Sequence, residues 1–183
     1  MGFIILDGKG SGQSAAISPS GNRLNVSSRA DERIYYISRD NGDSYSVTSI
    51  DASPSGGEYN FYFKNTSTTQ KFYVKHIIVG AADLAIFKVA VVTGTAAGTE
   101  LTPVNLNLTS GRTASCDCRG NGAITGLTES SVIDIRSVEA DATEGFDFHD
   151  ALILGQGDAI AVEFDTGSAS AIHISMLGFY DLE

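Results

Sequence analysis

From residue 33 onward, the sequence is a succession of short segments rich in β-branched and aromatic residues, each ended by residues that favour turns. Such side chains fit a pleated, half-buried strand, whereas Gly, Pro, Asn and Asp suit the turns between strands. The pattern predicts a body built from about ten short strands. The predicted strands cover residues 33–38, 44–50, 59–65, 71–79, 84–93, 102–108, 112–118, 131–138, 158–165 and 170–180.

The segment YNFYFKN (59–65) has the two-residue period of a strand with one buried face, because Tyr59, Phe61 and Phe63 alternate with Asn, Tyr and Lys. No window has a sustained helical stripe, and short helical turns are expected at most in 81–87 and 139–150. Many short strands at this spacing predict an antiparallel β-sandwich of the jelly-roll type.

The N-terminal part of the chain differs from the rest. Residues 7–30 are rich in Gly, Ser and Asn and have few large apolar groups, so they cannot bury enough surface to fold alone. We therefore predict an extended N-terminal arm over residues 1–30 and a β-sandwich domain over residues 31–183. The four consecutive apolar residues Phe3 to Leu6 lack a preceding basic region, so a secretory signal is not expected.

Charge is distributed unevenly along the chain, whose formal net charge is −10. Residues 1–91 hold nine Lys and Arg against eight Asp and Glu, whereas residues 92–183 hold three against fourteen. A surface formed by the second half repels phosphate groups, so a nucleic-acid partner is disfavoured. No apolar run approaches the roughly 20 residues that cross a bilayer, so a membrane partner is not expected either.

The stretch LILGQGDAIAVEF (152–164) offers a glycine-rich motif that resembles a phosphate-binding loop. A loop of that type needs Lys and then Ser or Thr after its last glycine, but Asp158 follows Gly157. The next residues alternate, with Ile160, Val162 and Phe164 on one face, which predicts a strand rather than a helix. We interpret Gly155-Gln156-Gly157 as the turn of a β-hairpin.

Two further glycine motifs also lack the context that phosphate binding requires. The motif at 10–15 (GSGQSA) matches a dinucleotide-binding fingerprint, but Pro19 and Gly21 follow where a helix should form. The motif at 94–99 (GTAAGT) lacks the lysine of a phosphate-binding loop and is predicted to be a hairpin loop.

The sequence contains no complete motif for metal binding, redox chemistry or catalysis. Cys116 and Cys118 are two residues apart, which is poor geometry for a mutual disulfide, and His76, His149 and His173 stand at no zinc-finger spacing. The acidic segment 139–150 lacks the ligand order of an EF-hand and is predicted to be a solvated loop or a partner contact. No G-x-S-x-G or H-E-x-x-H motif occurs, and no carboxylate pair is marked for glycosidase chemistry. We therefore expect no enzyme activity, no metal and no cofactor.

Four segments together resemble a family of tailed-bacteriophage virion proteins. The segments are DGKGSGQSAAISPSGNRLNV (7–26), GDSYSVTS (42–49), TPVNLNLTSGRTA (102–114) and LILGQGDAIAVEFDTG (152–167). The resemblance implies a jelly-roll capsid decoration or cement protein, which is a non-enzymatic homo-oligomer on the capsid surface of the virion, with a trimer as the expected state. It also implies assembly in the host bacterial cytoplasm, with the major capsid protein as partner.

In such a protein, the N-terminal arm is expected to dock on the particle and to gain order there. Its apolar residues can add a strand to a neighbouring subunit, and its basic residues can meet an acidic shell. The predicted contact residues are Phe3, Ile4, Ile5, Leu6, Lys9, Arg23, Leu24 and Arg29.

Two other functions remain open at this stage. A receptor- or glycan-binding module of a head or tail fibre would need exposed aromatic side chains in a groove. A carbohydrate-active enzyme on the same scaffold stays conceivable because fold does not fix function. The aromatic candidates for the glycan site are Tyr35, Tyr36, Tyr45, Tyr59 and Tyr62.

Overall fold

The computed structural model describes residues 16–17, 24–25, 33–167 and 171–181. The chain divides into two compact units, residues 1–32 and 33–183. In the first unit, strands β1 (Ala16–Ile17) and β2 (Leu24–Asn25) pair in antiparallel register. The second unit contains helix α1 (Arg33–Asp40) and strands β3 (Ser44–Asp51), β4 (Glu58–Asn65), β5 (Lys71–Ala81), β6 (Ala85–Glu100), β7 (Val104–Asn105), β8 (Cys116–Val138), β9 (Ala142–Leu154), β10 (Ala159–Gly167) and β11 (Ile172–Asp181).

Two antiparallel sheets form the second unit. The first sheet has five strands in the order β7-β3-β11-β5-β9. The second closes on itself in the order β10-β4-β8-β6, since β10 also pairs with β6. The predicted all-β antiparallel sandwich is confirmed, while the jelly-roll connectivity stays a prediction.

The core lies between the two sheets and follows the predicted two-residue period. On β10, Ile160, Val162 and Phe164 belong to the cluster that fills the space between the sheets. The intervening Ala159 and Ala161 belong to a second cluster on the opposite face. Strand β10 is therefore buried on both faces, which explains why five of the six side chains in 159–164 are apolar.

The predicted first strand, residues 33–38, is wrong, because the chain forms helix α1 there. Ile34 and Ile37 are three residues apart, and both are buried against β5 and β11. The helix ends where the backbone N–H groups of Asn41 and Gly42 both donate to the carbonyl of Ile37, and Gly42 has a φ of +65°. Asn41 and Gly42, which follow the predicted first strand, thus form the C-cap of a helix, and Gly42 adopts the left-handed conformation there.

Two long strands replace shorter predicted segments. Strand β8 contains residues 116–118 of one predicted strand and all of 131–138 in one run, whereas 112–115 are not in a strand. Strand β6 continues through the predicted hairpin loop at 94–99. The register between β6 and β8 shifts next to Gly94, and a side chain on Gly94 would collide with the carbonyl of Gly126. These glycines let two long strands stay paired while they bend, so the motif marks a bend instead of a loop.

Three further expectations are corrected. Only Val104–Asn105 of the 102–108 segment is a strand. No helical turn forms in 81–87 or 139–150, because β5, β6 and β9 occupy most of these residues. The turn at Gly155–Gly157 is confirmed, with a φ of +84° at Gly157. It joins β9 and β10, which belong to different sheets, so it connects the two layers and does not form a hairpin.

Candidate docking surface

The contact residues predicted in the arm are not brought together by the structure. Apart from the backbone of Leu24 in β2, all of them lie outside the described residues, and so does the 10–15 glycine motif. Their role in docking stays a prediction. The residues in question are Phe3, Ile4, Ile5, Leu6, Lys9, Arg23, Leu24 and Arg29.

The described body instead exposes a row of three aliphatic side chains at the end of the five-stranded sheet. Val104 is 58% exposed, Leu106 42% and Leu108 85%. The intervening Asn105 and Asn107 are only partly exposed. The usual arrangement is inverted here, since the apolar side chains face solvent and the amides face the protein.

The two asparagines fix this inverted arrangement through hydrogen bonds to main-chain carbonyls. Asn105 Nδ2 donates to Gly42 O at 2.6 Å and to Arg112 O at 3.2 Å. Asn107 Nδ2 donates to Ser38 O at the end of helix α1, at 3.0 Å. Asn105 Oδ1 also accepts the N–H of Asn107 at 2.9 Å. The segment is therefore held by its polar residues, which leaves the aliphatic ones outside.

An ion pair anchors the far end of the same segment. Arg112 Nη1 lies 2.6 Å from Oδ2 of the buried Asp43, which also accepts a longer bond from Gln70 Nε2 at 3.4 Å. Ser110 Oγ donates to Gly42 O at 3.3 Å. Residues 105–112 are thus tied at several points to the turn between α1 and β3.

Helix α1 extends the exposed row on one side. Tyr35 is 51% exposed and lines a cavity of about 300 Å³ together with Leu106 and Leu108. The guanidinium of Arg39 lies 5.6 Å from the centroid of the Tyr35 ring. We define the docking surface as Tyr35, Val104, Leu106 and Leu108. Exposed apolar side chains that line one cavity, as Tyr35, Leu106 and Leu108 do, are typical of protein contact sites.

The docking surface borders the edge of a sheet. Strand β7 pairs only with β3 among the described residues, through Tyr45–Asn105 and Ser46–Val104. It is the end strand of the five-stranded sheet. An edge strand offers backbone donors and acceptors beside the exposed aliphatic side chains.

An ion cluster lies on the face of the closed sheet that points away from the cluster between the two sheets. Lys88 Nζ is 2.8 Å from Glu129 Oε2 and 2.8 Å from Glu163 Oε2. Burial by itself lowers the pKa of an ammonium group, but the bonds to the two carboxylates outweigh it and raise the pKa of Lys88. Burial and the charge of Glu163 raise the pKa of the nearby Tyr59 hydroxyl. The cluster joins β6, β8 and β10, so its charges brace the closed sheet.

A second polar network crosses between the two sheets. Ser49 Oγ on β3 donates to the carbonyl of Asn60 on β4 at 2.8 Å and accepts the N–H of Asn121 on β8 at 2.8 Å. Asn60 Nδ2 donates to Asp51 Oδ2 at 2.9 Å. These buried groups satisfy one another and hold the two sheets in one relative position.

The glycine turn that resembled a phosphate loop is closed by its own carboxylate. Asp158 Oδ2 accepts the N–H of Gly155 at 2.9 Å. The donor that would face a phosphate is therefore occupied, and the carboxylate would repel one. A shallow cavity of about 230 Å³ next to this turn is lined by 67–71, Gly155 and Gln156.

The two cysteines are free, as predicted, with Cys118 buried and Cys116 half-buried. Burial, followed by the charge of Asp117, raises the pKa of Cys116 to about 12, and burial also raises the pKa of Cys118. Both thiols are therefore protonated and unreactive near neutral pH. Within the described ranges, no group of three or more His, Cys, Asp or Glu side chains could hold a metal ion.

The tyrosines proposed for a sugar-binding groove do not form one face. Tyr45 and Tyr62 are buried in the two core clusters, and Tyr59 is half-buried. Tyr35 is exposed in the docking surface, and the side chain of Tyr36 lies outside the described residues. Tyr45 and Tyr62 therefore do not supply the exposed aromatic side chains that a sugar-binding groove needs.

His173 lies on the outer face of the five-stranded sheet. Its ring covers Gly80, its cross-strand partner, where any larger side chain would collide with it. A cavity of about 630 Å³ beside the ring is lined mainly by alanine, threonine and isoleucine. We assign this contact a packing role.

Comparisons with family models, with curated proteins and with solved structures found no match to this chain. Among the residues that the structure describes, no helix is long and apolar enough to cross a membrane. The docking surface was missed by sequence reasoning. The alternation of V-N-L-N-L predicts a strand, but it does not say which of its two faces is buried.

Proposed function

We propose that this chain is a non-enzymatic structural protein of a tailed-bacteriophage virion, which decorates and stabilises the capsid. The observation that carries the proposal is the docking surface, a preorganised apolar surface on a rigid body. Its side chains are exposed because Asn105 and Asn107 hold the backbone with the aliphatic residues outward. Rigid presentation of apolar side chains favours protein contact, because little entropy is lost on binding.

The segments that resemble virion proteins support this proposal by their positions. The 42–49 segment contains most of β3 and the 102–114 segment contains β7, and these two strands pair. Gly42 and Asp43 of the first segment bond to Asn105 and Arg112 of the second. The residues that carry the resemblance thus maintain the docking surface, which connects the family likeness with a contact function.

The remaining parts of the proposal concern the arm and the assembly. Lys9, Arg23 and Arg29 of the N-terminal arm would meet an acidic shell, and the acidic second half of the chain would face outward or meet basic neighbours. Several copies in a homo-oligomer, with the trimer as our preferred state, would bind the shell together. Linked weak contacts of this kind give high overall affinity.

Co-sedimentation with capsid shells tests the function. We expect the purified full chain to bind assembled shells and to raise their thermal stability, and to bind unassembled capsid protein poorly. A chain that lacks residues 1–30 should bind shells much more weakly. The proposal is wrong if the full chain binds neither form. Equal shell binding by the shortened chain would refute the docking role of the arm, and binding to host cells or glycans instead of shells would favour a receptor-binding module.

A further inference from the structure

The outer face of the five-stranded sheet carries an open cavity beside His173. Strand pairing places Ile50 of β3 and Gly80 of β5 on either side of His173, and Thr143 of β9 beside Gly80. Neighbouring strands lie about 4.8 Å apart, so this row of four residues spans about 14 Å. The cavity along it has a volume of about 630 Å³. That volume is within the range of roughly 300–1,000 Å³ that is usual for small-molecule sites.

The imidazole ring of His173 presents one aromatic face to this cavity. A Cβ atom on Gly80 would lie no more than 2.9 Å from Cε1, Nε2 and Nδ1 of the ring, so one side of the ring rests on the glycine. His173 is nevertheless exposed, and it lines the cavity. The absence of a side chain at Gly80 thus lets the ring lie on the sheet, which leaves its other side open to a ligand.

Polar side chains surround an otherwise apolar lining. Thr48, Asp141, Thr143 and His173 line the cavity and are exposed, whereas its other lining residues are alanines and isoleucines. A few convergent polar groups on an apolar wall are typical of a site that orients a small molecule.

Main-chain hydrogen bonds hold the rim of the cavity in place. The N–H of Asp141 donates to the carbonyl of Ala81 at 3.1 Å, and the N–H of Ala82 donates to the carbonyl of Ala171 at 3.1 Å. The strands and their connections therefore fix the positions of the lining residues before any ligand arrives. Such preorganisation lowers the entropy that binding costs.

The chemistry of the lining disfavours two classes of ligand. Among the described residues, no Lys or Arg lines the cavity, and the carboxylate of Asp141 repels anions, so phosphate and carboxylate ligands fit poorly. A purely apolar ligand would cover the Asp141 carboxylate without offering it a hydrogen bond, which is costly. A neutral ring that combines an apolar face with several hydroxyl groups avoids both penalties.

We propose that this cavity binds a neutral pyranose sugar, and we call it the sugar site. One C–H face of the sugar stacks on the open side of the His173 ring, because the face of an aromatic ring carries partial negative charge. Two adjacent hydroxyl groups donate to the Asp141 carboxylate, and Thr48 and Thr143 bond to further hydroxyl groups. Because the site is open to water and small, we expect a Kd on the order of 1 mM.

The sugar site and the docking surface lie toward opposite ends of strand β3. Ser46 pairs with Val104 of β7, whereas Ile50 pairs with His173. Four residues of strand separate the two positions by about 13 Å. A copy that is attached through the docking surface therefore leaves the sugar site open. The inference adds a ligand to the proposed function and does not depend on it.

Saturation-transfer NMR on the full chain tests the sugar site. The probes are the methyl glycosides of glucose, galactose, mannose and N-acetylglucosamine, with inorganic phosphate as the anionic comparison, followed by phosphorus NMR. We expect at least one glycoside to bind and phosphate not to bind. His173→Ala should weaken glycoside binding roughly tenfold, because the stacking face is lost. Asp141→Asn should also weaken it, because a neutral acceptor forms weaker hydrogen bonds than a carboxylate.

Two further variants separate stacking from other effects. His173→Phe should keep glycoside binding, because a phenyl ring can lie on Gly80 as the imidazole does. His149→Ala is the matched control, since His149 is a histidine whose side chain is 81% exposed and which does not line the cavity. It should bind the glycoside as the native chain does. Circular dichroism of each variant establishes that it is folded.

The inference is overturned if none of the four glycosides binds, if phosphate binds in their place, or if His173→Ala binds as tightly as the native chain. Equal losses in His173→Ala and His149→Ala would also overturn it, and a loss in His173→Phe would refute the stacking geometry. Shell binding is measured separately. A chain that binds shells but no glycoside refutes this inference alone, whereas a chain that binds a glycoside but no shells refutes the proposed function alone.

Discussion

Replacement of Lys88 by methionine should destabilise the protein strongly, because it leaves a buried carboxylate without its partner. Methionine keeps most of the apolar stem and removes the ammonium group that contacts Glu129 and Glu163 at 2.8 Å. The side chains of Lys88 and Glu163 are 16% and 10% exposed, so water cannot replace the lost contact with Glu163. Glu129 is more exposed and should contribute little to the loss.

The expected loss in the free energy of unfolding follows from the burial of the Lys88–Glu163 pair. Removal of one partner from a buried ion pair costs about 3–5 kcal/mol, compared with a total stability of about 5–15 kcal/mol for a domain. A double variant, Lys88→Met/Glu163→Leu, should recover most of this loss, because it leaves no unpaired buried charge. Asp134→Asn, which breaks the exposed pair with Arg136, is the control and should cost less than about 1 kcal/mol.

The pH dependence supplies an independent measurement. The pKa of Lys88 is raised in the folded state, so its contribution is complete below the unfolded value of about 10.4 and is lost as the pH rises through the folded value. The difference between native protein and Lys88→Met should therefore shrink at strongly alkaline pH.

Urea denaturation of the four proteins across this pH range measures the effect. A loss of less than about 1 kcal/mol in the free energy of unfolding of Lys88→Met would refute the burial of this pair, since the pair would then behave as a surface contact. A double variant Lys88→Met/Glu163→Leu that is less stable than Lys88→Met would refute it as well. An unchanged loss at alkaline pH would show that lost packing, rather than lost charge, destabilises the variant.

Three further changes test the packing and the docking surface. Asn107→Ala removes the bond to helix α1 and should cost about 1–2 kcal/mol, with faster hydrogen exchange across 104–110. Gly178→Ala places a methyl group 2.5 Å from the ring of Phe72 and should cost about 1–3 kcal/mol in thermal unfolding, whereas Gly111→Ala meets nothing and should be neutral. Burial raises the pKa of both thiols, that of Cys116 to about 12. Near pH 8, both cysteines should therefore react with a disulfide reagent roughly a thousandfold more slowly in the folded chain than in the unfolded chain. Fast reaction in the folded protein would contradict the burial of these thiols.

The sequence by itself determined the class of fold and most strand positions. The predicted segments at 44–50, 59–65, 71–79, 158–165 and 170–180 overlap β3, β4, β5, β10 and β11, because their side chains are β-branched or aromatic and their ends are turn residues. The inward face of β10 also followed from the two-residue period, as did Phe61 and Phe63 of β4. The predicted single buried face of β4 is wrong, because Tyr62 is buried on the other face and Tyr59 packs there with it. These properties are local, so a single segment carries enough information to predict them.

Only the tertiary structure decided the features that depend on which surfaces meet. Residues 33–40 are helical because Ile34 and Ile37 find a partner surface on β5 and β11, although β-branched Ile and aromatic Tyr side chains favour a strand. The Gly155–Gly157 turn joins two sheets because the partners of β9 and β10 lie elsewhere in the chain. Such choices rest on contacts between distant residues, which no local pattern encodes.

The docking surface shows most clearly which features the local sequence predicts and which depend on tertiary contacts. The alternation of V-N-L-N-L was visible in the sequence, and it predicted a strand over 102–108, of which only Val104–Asn105 is a strand. In the structure, the carbonyls of Ser38 and Gly42 bond to Asn107 and Asn105, so the amides face inward and the aliphatic residues face solvent. The sequence determined that the two kinds of side chain would point in opposite directions, and the carbonyls of the turn after α1 decided which of them would be exposed.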